Sequence, residues 1–177
     1  ATSAGIGAPA SVAFDAAGNL YGVGSIGGPQ LYSINVATGQ ATVIGSTDLT
    51  STTGGGLAIS AAGTFYGTPT ASRYGTYDSV TGAFTNITNP IKPGGGGAYA
   101  ALGFSPSGVL YGLNSAPGTP PPTFLATIDP TTGAVTNVGQ SINSLDAIAF
   151  RIPEPGSLAM VLVAALAVAP KRISKPR

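Results

Sequence analysis

Three stretches of this sequence share one pattern: Val12–Gly22 is VAFDAAGNLYG, Leu57–Gly67 is LAISAAGTFYG, and Leu102–Gly112 is LGFSPSGVLYG. Each has an apolar triplet, then a segment of turn-forming residues that contains a glycine, then a second apolar segment ending in Tyr-Gly. Each tyrosine lies 45 residues after the one before it, and a fourth apolar triplet, Ile148–Phe150, begins 46 residues after Leu102. A period of this size indicates a repeat architecture.

Each repeat is predicted to form four short β-strands. The apolar triplet is the first strand, and the Leu/Phe-Tyr-Gly segment opens the second. The third and fourth strands flank a shared turn sequence, Asn35–Gly39, Asp78–Gly82 or Asp129–Gly133, in which the first side chain can bond the backbone two residues on and glycine supplies positive φ. Such a turn predicts a hairpin. In the first repeat the strands are 12–14, 20–23, 31–34 and 41–44; the last two recur at 74–77 and 84–87, and at 125–128 and 135–138.

Four strands in about 45 residues match the size of a β-propeller blade. Over roughly residues 10–150 the sequence resembles bacterial propeller repeats of the LYG…(D/N)xxTG kind. We therefore predict an all-β, β-propeller-like repeat domain over 1–150, with four-stranded blades at about 12–56, 57–101 and 102–146. A β-solenoid is the competing architecture, but its coils are shorter and lack two hairpin turns in each unit.

Propellers close with about four to eight blades, and three leave open edges. We therefore expect either further N-terminal blades or an assembly of copies. In the first case, Ile148–Phe150 would complete an N-terminal blade. Tyr21, Tyr66 and Tyr111 are expected to pack between blades, with sugar stacking as the alternative. The glycine runs 54–56 and 94–97 are expected to be flexible links between blades.

Composition excludes several kinds of chemistry. The chain contains no histidine and no cysteine, so a Ser-His-Asp triad, a thiolate metal site and a cysteine nucleophile are all impossible. Through Ile152 there are three basic residues and five aspartates, which argues against nucleic acid as a partner. Asp15, Asp78 and Asp129 have turn roles, whereas Asp48 and Asp146 could flank a central channel. We predict no catalytic, cofactor-binding or metal-binding residues, and hence no enzyme.

The C-terminal region, 151–177, has a different pattern. The motif 152–157, Ile-Pro-Glu-Pro-Gly-Ser, precedes a predicted apolar helix over 157–169 and a basic tail over 170–177. The uninterrupted apolar run, 158–169, would cover roughly 18 Å as a helix, which is short for a membrane core of about 30 Å. Basic residues stay on the cytoplasmic side, so we expect the body to face away from the cytoplasm. The basic cluster consists of Lys171, Arg172, Lys175 and Arg177.

This arrangement resembles the PEP-CTERM sorting signal. The resemblance implies that an exosortase, a membrane-embedded transpeptidase, recognises Pro153, Glu154 and Pro155. It also implies a transient anchor in the inner membrane, followed by release to the cell surface or extracellular matrix of a Gram-negative bacterium. An ordinary C-terminal transmembrane anchor is the alternative, and it gives the body the same orientation.

The expected function is that of a noncatalytic binding or scaffold module linked to exopolysaccharide or biofilm. Its expected partners are the exosortase, the inner membrane, and exopolysaccharide or other surface proteins. Two alternatives stay open. One is a propeller enzyme that acts on extracellular polysaccharide through an active site in further N-terminal blades. The other is a purely structural extracellular component that has no discrete ligand.

Overall fold

The computed structural model describes residues 9–25, 28–52 and 55–150. Over these residues the protein is all-β, with three four-stranded antiparallel sheets that resemble propeller blades. The strands of each sheet are adjacent in chain order, so each sheet is a simple meander. Sheet 1 contains β1 (Pro9–Phe14), β2 (Leu20–Ser25), β3 (Pro29–Ile34) and β4 (Ala41–Ser46); sheet 2 contains β5 (Leu57–Ile59), β6 (Phe65–Thr70), β7 (Arg73–Tyr77) and β8 (Phe84–Thr88); sheet 3 contains β9 (Ala98–Phe104), β10 (Leu110–Ser115), β11 (Thr123–Ile128) and β12 (Val135–Gln140).

The turns between the third and fourth strands form as their sequence predicts. In sheet 2 the Asp78 carboxylate accepts hydrogen bonds from the backbone N–H groups of Val80 and Thr81, at 2.8 and 2.7 Å. Gly82 closes the turn with φ of 79° and donates its N–H to the Asp78 carbonyl at 2.9 Å. Asn35 and Asp129 make the equivalent bonds in sheets 1 and 3. The local chemistry of the turn therefore fixes where each hairpin reverses.

The sheets are held together by apolar residues on the faces that meet. Between sheets 1 and 2, Val23 and Leu31 pack against a set of residues from β5, β6 and β7, which are Leu57, Ile59, Phe65 and Tyr77. Between sheets 2 and 3, Ala58 and Tyr74 pack against Tyr99, Leu102, Leu110, Ala126 and Ile128. Period-2 alternation sends neighbouring residues of a strand to opposite faces, so the middle sheet can supply both interfaces.

The first strands of the three sheets lie side by side: β1 contacts β5, and β5 contacts β9. Ile148–Phe150 was predicted to be a fourth strand of this kind, but it does not form a β-strand. Its position nevertheless matches. A Cβ added at Gly103 would lie 3.3 Å from Phe150 and 3.4 Å from Ile148. The segment therefore covers β9 at the place where β9 covers β5, but without the pairing of a sheet.

Two of the repeated tyrosines, Tyr21 and Tyr66, pack between sheets, as predicted, and the third, Tyr111, packs against the segment 148–150. Tyr21 meets Phe65 of sheet 2 with 4.8 Å between ring centroids, and Tyr66 meets Phe104 of sheet 3 at 5.7 Å. Tyr111 meets Phe150 at 5.2 Å. Because Phe104 and Phe150 have the same place in the repeat, the last two contacts are equivalent. The first two pairs have the edge-on geometry that aromatic pairs prefer.

The glycine that follows each of these tyrosines was not predicted to have a packing role. A Cβ added at Gly67 would lie 2.3 Å from the Tyr77 ring, and one added at Gly22 would lie 2.5 Å from the Tyr32 ring. In sheet 3 the ring of Tyr99 lies against Gly112 in the same way, at 2.7 Å. The second strand of every sheet therefore carries a glycine because a tyrosine ring occupies the space above it.

Each glycine run contains a tight backbone contact that the expectation of flexible links did not include. A Cβ at Gly55 would lie 1.7 Å from the Thr68 carbonyl oxygen, and one at Gly97 would lie 1.7 Å from the Ser115 carbonyl oxygen. Both residues also have positive φ, 144° and 77°. At each crossing from one sheet to the next, the chain contacts the backbone of the second strand of the next sheet, which is β6 at Gly55 and β10 at Gly97. Glycine is therefore required there by close approach rather than by flexibility.

Candidate functional site

A cavity of about 620 Å³ lies where the first strands of the three sheets meet. Its walls come from equivalent parts of each repeat: the end of the first strand and the turn after it. Residues 148–150 close a fourth side. Most lining side chains are apolar, including Phe14, Phe104 and Phe150. The repeat architecture therefore places one concave surface where the first strands of the three sheets converge, which we call the axial cavity.

Three equivalent turn residues give this cavity polar groups: Asp15, Ser60 and Ser105. Each uses its side chain to hold its own turn. Asp15 accepts from the N–H groups of Ala17 and Asn19, at 2.9 and 2.8 Å. Ser60 Oγ and Ser105 Oγ accept hydrogen bonds, both 3.1 Å long, from the backbone N–H groups of Thr64 and Val109, the residues equivalent to Asn19. The polar atoms at the rim are thus already engaged in structural hydrogen bonds.

Asp15 is the one charged residue among the described residues that line the cavity. Its side-chain hydrogen bond with Asn19, 2.9 Å long, and the backbone N–H groups of the turn lower the pKa of its carboxyl group below the ordinary value. A carboxylate with a lowered pKa stays ionised at neutral pH and accepts hydrogen bonds without donating any. Asp15 therefore lacks the raised pKa that a general acid needs.

The two hairpin aspartates, Asp78 and Asp129, also have lowered carboxyl pKa values. In both, backbone N–H bonds are the largest cause, from Thr81 for Asp78 and from Thr132 for Asp129. Their role in turns agrees with the sequence interpretation. Across residues 9–25, 28–52 and 55–150, no group of three or more His, Cys, Asp or Glu side chains could hold a metal ion.

Asp48 and Asp146 were expected to flank the central channel, and the structure separates them. Asp146 lines a second cavity of about 350 Å³ together with Ala10, Gly55 and Tyr99, near the opposite ends of the first strands. Asp48 is exposed, has φ of 58°, and lines none of the cavities described for this part of the chain. Asp146 alone therefore lies beside the axis.

The sorting residues predicted from sequence lie outside the described residues. This applies to Pro153, Glu154 and Pro155, and to the basic cluster Lys171, Arg172, Lys175 and Arg177. The predicted apolar helix over 157–169 lies outside them as well. Within the described residues, no helix is long and apolar enough to cross a membrane.

The fold and the axial cavity define a class: repeat proteins built from β-propeller-like blades. Solved structures share this architecture. The chain is similar to a structural genomics protein of unknown function from Bacteroides thetaiotaomicron, with a TM-score of 0.53 and 16% identity over 71% of this chain and 32% of that one. It is also similar to a chain of the nidogen/laminin complex, with a TM-score of 0.50 and 20% identity over 79% of this chain and 50% of that one.

These similarities establish the fold alone, because both identities are low. The chain spans about a third of the first structure's length and half of the second's. No family model matches this sequence. No curated protein matches it either.

Proposed function

We propose that this protein is an exported, noncatalytic surface or matrix component that is sorted through its C-terminal region. The single observation that carries this proposal is the order of features in the sequence: Pro153-Glu154-Pro155, then the apolar run 158–169, then four basic residues within 171–177. Cations behind an apolar segment are retained in the cytoplasm, so the sheets lie on the other side of the membrane. An exosortase and the inner membrane are the partners in this step.

The three sheets serve, in this proposal, as part of a larger propeller that binds or organises exopolysaccharide or other surface proteins. Two observations support a binding or scaffold role. The described residues that line the axial cavity expose apolar side chains and turn residues. The aspartates of the turns are ionised acceptors committed to backbone bonds. Neither arrangement supplies the proton donor that glycoside hydrolysis needs.

Sorting is tested by a reporter that carries an N-terminal export signal and replaces the body ahead of residue 152, in a host that has an exosortase. The tail should carry the reporter to the cell surface or medium. Replacing Pro153, Glu154 and Pro155 by alanine should hold it in the inner membrane, still facing outward. Exchange of Lys171 and Arg172 for glutamine leaves the Pro-Glu-Pro motif intact and removes two of the four cations. This variant therefore tests whether the cations set the orientation in the membrane. A reporter that stays in the cytoplasm with the natural tail would contradict the proposal.

Binding is tested with exopolysaccharide that is purified from a biofilm-forming bacterium that has an exosortase. We expect saturable retention of the protein and no release of reducing ends during incubation. Release of reducing ends would favour the enzyme alternative. The absence of saturable retention would leave the protein as a purely structural component.

A further inference from the structure

A second cavity, of about 500 Å³, lies in sheet 1 beside the axial cavity. It is formed by the turn between β1 and β2, the turn between β3 and β4, and the strand ends next to them. Its volume falls within the range of about 300–1,000 Å³ that is typical of small-molecule sites. We call it the amide groove, and its polar side chains are Asn19, Tyr21, Ser33, Asn35, Gln40 and Thr42.

Three of these side chains form a row of hydroxyl groups across the sheet. Tyr21 lies opposite Ser33, and Ser33 lies opposite Thr42, so all three project from the same face. Within the described residues, none of the three hydroxyls makes a hydrogen bond. The same row recurs in sheets 2 and 3, as Tyr66, Thr76 and Thr85 and as Tyr111, Thr127 and Thr136. The repeat therefore supplies each sheet with a row of hydroxyl groups on one face.

Two of the amides, in contrast, are specific to sheet 1. Where sheet 1 has Asn19 and Gln40, sheet 2 has Thr64 and Ala83. Sheet 2 nevertheless forms the same two turns. The Thr64 and Ala83 carbonyls each accept a backbone N–H at 2.9 Å, as the Asn19 and Gln40 carbonyls do at 2.9 and 2.7 Å. The turns therefore form without these amide side chains, so turn formation does not account for their presence in sheet 1.

Hydrogen bonds inside the turns leave part of each amide unused. Asn19 Nδ2 donates to the Asp15 carboxylate at 2.9 Å, which leaves Asn19 Oδ1 as an acceptor. Asn35 Oδ1 accepts two backbone N–H groups of its own turn, at 2.9 and 3.1 Å, which leaves Asn35 Nδ2 as a donor. The exposed Gln40 side chain makes no hydrogen bond within the described residues, so it offers a donor and an acceptor. The groove thus presents donors and acceptors together.

The chemistry of the groove favours a neutral ligand that is rich in hydroxyl groups. None of the described residues that line it is charged, so a phosphate or a carboxylate would find no cation there. The ionised Asp15 carboxylate, bonded to Asn19, adds a negative charge beside the groove and disfavours anions further. Hydroxyl groups of a ligand both donate and accept hydrogen bonds, and the groove can meet both needs. Tyr21 adds an apolar ring with a polar end, which suits the mixed surface of a sugar.

We propose that the amide groove binds one sugar unit of a neutral polysaccharide. This inference rests on the polysaccharide-binding role in the proposed function, and it adds a site and a sugar class to that role. Sugar hydroxyls donate to Asn19 Oδ1, accept from Asn35 Nδ2, and do both with Gln40 and with the hydroxyl row. Asp15 lines the axial cavity and Asn19, in the same turn, lines the groove. Recognition therefore takes place at the turns of sheet 1, next to the axial cavity and outside it.

The test compares a double variant of the groove, Asn19→Thr/Gln40→Ala, with a matched control in sheet 3, Asn137→Thr/Gln140→Ala. The first gives sheet 1 the residues that sheet 2 has at these positions, and the second removes the same side chains from exposed positions of β12. The probe is exopolysaccharide of a biofilm-forming bacterium that has an exosortase, treated with protease, separated by ion exchange into neutral and acidic fractions, and immobilised. The natural chain should bind the neutral fraction. The concentration for half-saturation should rise about tenfold in the groove variant, through the loss of two hydrogen bonds, and by less than about twofold in the control.

A second variant, Thr42→Val, tests the hydroxyl row while every amide is kept. It replaces one exposed hydroxyl by a methyl group of similar size and should raise the half-saturation concentration about fivefold. Thr85→Val changes the equivalent residue of sheet 2, where the two amides are absent, and should have little effect. Thermal melts of all four variants should match that of the natural chain within about 2 °C, so a change in binding reports on the groove and not on the fold.

Three results would overturn the proposal. The first is saturable binding of the neutral fraction that the groove variant and Thr42→Val leave unchanged; the proposed polysaccharide-binding role would then stand without this site. The second is binding of the acidic fraction alone, or binding that protease treatment abolishes, which would assign the groove to an anion or to a protein. The third is the absence of saturable binding to either fraction, which would remove the binding role as well. The reporter experiment on sorting is independent of all three.

Discussion

The glycine after each repeated tyrosine gives a sharp stability prediction through Gly67→Ala. The added methyl group would lie 2.3 Å from the Tyr77 ring, whereas ordinary contacts begin near 3.4 Å, so the ring must move by about 1.1 Å. Tyr77 is 4% exposed and packs against Phe84 at 5.0 Å between centroids, so it has little room to move. Overpacking of this kind costs about 1–3 kcal/mol.

Part of that cost is offset in the unfolded chain. Replacing glycine by alanine restricts the unfolded state and stabilises the fold by about 0.4–1 kcal/mol where the backbone conformation permits alanine. The middle values of the two ranges, about 2 and about 0.7 kcal/mol, leave a net loss of about 1.3 kcal/mol for Gly67→Ala. In a urea titration followed by far-ultraviolet circular dichroism, this corresponds to a fall of about 0.5–1 M in the midpoint.

The matched control is Gly103→Ala in sheet 3. Its equivalents in sheets 1 and 2 are already alanine, Ala13 and Ala58. The added methyl would lie 3.3 Å from Phe150, close to ordinary contact. We expect Gly103→Ala to be neutral or stabilising by up to about 1 kcal/mol. Equal stability of Gly67→Ala and the wild type would refute the idea that the tyrosine ring fixes this glycine.

Three further predictions concern hydrogen bonds and titration. Backbone hydrogen bonds lower the carboxyl pKa of Asp78 from 3.8, so the contribution of Asp78 to stability is present above about pH 3.8 and is lost as the pH falls through the folded-state pKa. Asp78→Asn places at this position the residue found at Asn35 of sheet 1. It should keep the fold at neutral pH and weaken the acid dependence of the melting temperature in thermal melts. Burial raises the pKa of the Tyr74 and Tyr77 hydroxyls above 10.0, so their contribution to stability is complete below that pH and declines as the pH rises. The tyrosinate absorbance of these two residues, measured as the difference from a Tyr74→Phe/Tyr77→Phe double variant, should appear only together with unfolding. Its appearance in the folded protein would contradict the packing. Tyr74→Phe should lower the free energy of unfolding by about 1 kcal/mol, because it removes the hydrogen bond to the Pro130 carbonyl. Tyr77→Phe should be neutral or stabilising, since the buried Tyr77 hydroxyl has no hydrogen-bond partner among the described residues. Chemical denaturation that ranks the two variants in the opposite order would refute this.

The strands were predictable because their signals are local. Every strand predicted from the sequence lies within an observed strand, apart from Ile148–Phe150. Asn35 and its equivalents bond their own turns, and glycine supplies positive φ a few residues later. These interactions join residues that lie within five positions of each other, so the sequence alone predicts them. The turn roles of Asp15, Asp78 and Asp129 were predictable for the same reason.

The packing over the repeat glycines was not predictable in this way. The three tyrosines that cover them come from different places in the repeat: Tyr32 from β3, Tyr77 from the end of β7, and Tyr99 from β9. No single sequence position marks the contact, so the period does not reveal it. The tight crossings at Gly55 and Gly97 were missed because a glycine run is typical both of flexible links and of close backbone approach.

The candidate site was predictable only in part. Placing Asp146 beside the axis followed from its position between repeats, but Asp48 has a similar position and is exposed in a loop. The axial cavity itself depends on how three sheets meet, which the sequence of one repeat does not specify. The sorting motif at 153–155 stays a prediction from sequence.

The central claim is that the repeats are neighbouring sheets around one axis, so that the repeated tyrosine of each sheet contacts an aromatic ring of the segment that follows that sheet. Nuclear Overhauser effects between aromatic rings of the isotope-labelled protein test this most directly. We predict cross-peaks between Tyr21 and Phe65, between Tyr66 and Phe104, and between Tyr111 and Phe150, whose ring centroids are 4.8, 5.7 and 5.2 Å apart. A spectrum in which these rings contact only residues of their own repeat would contradict the arrangement.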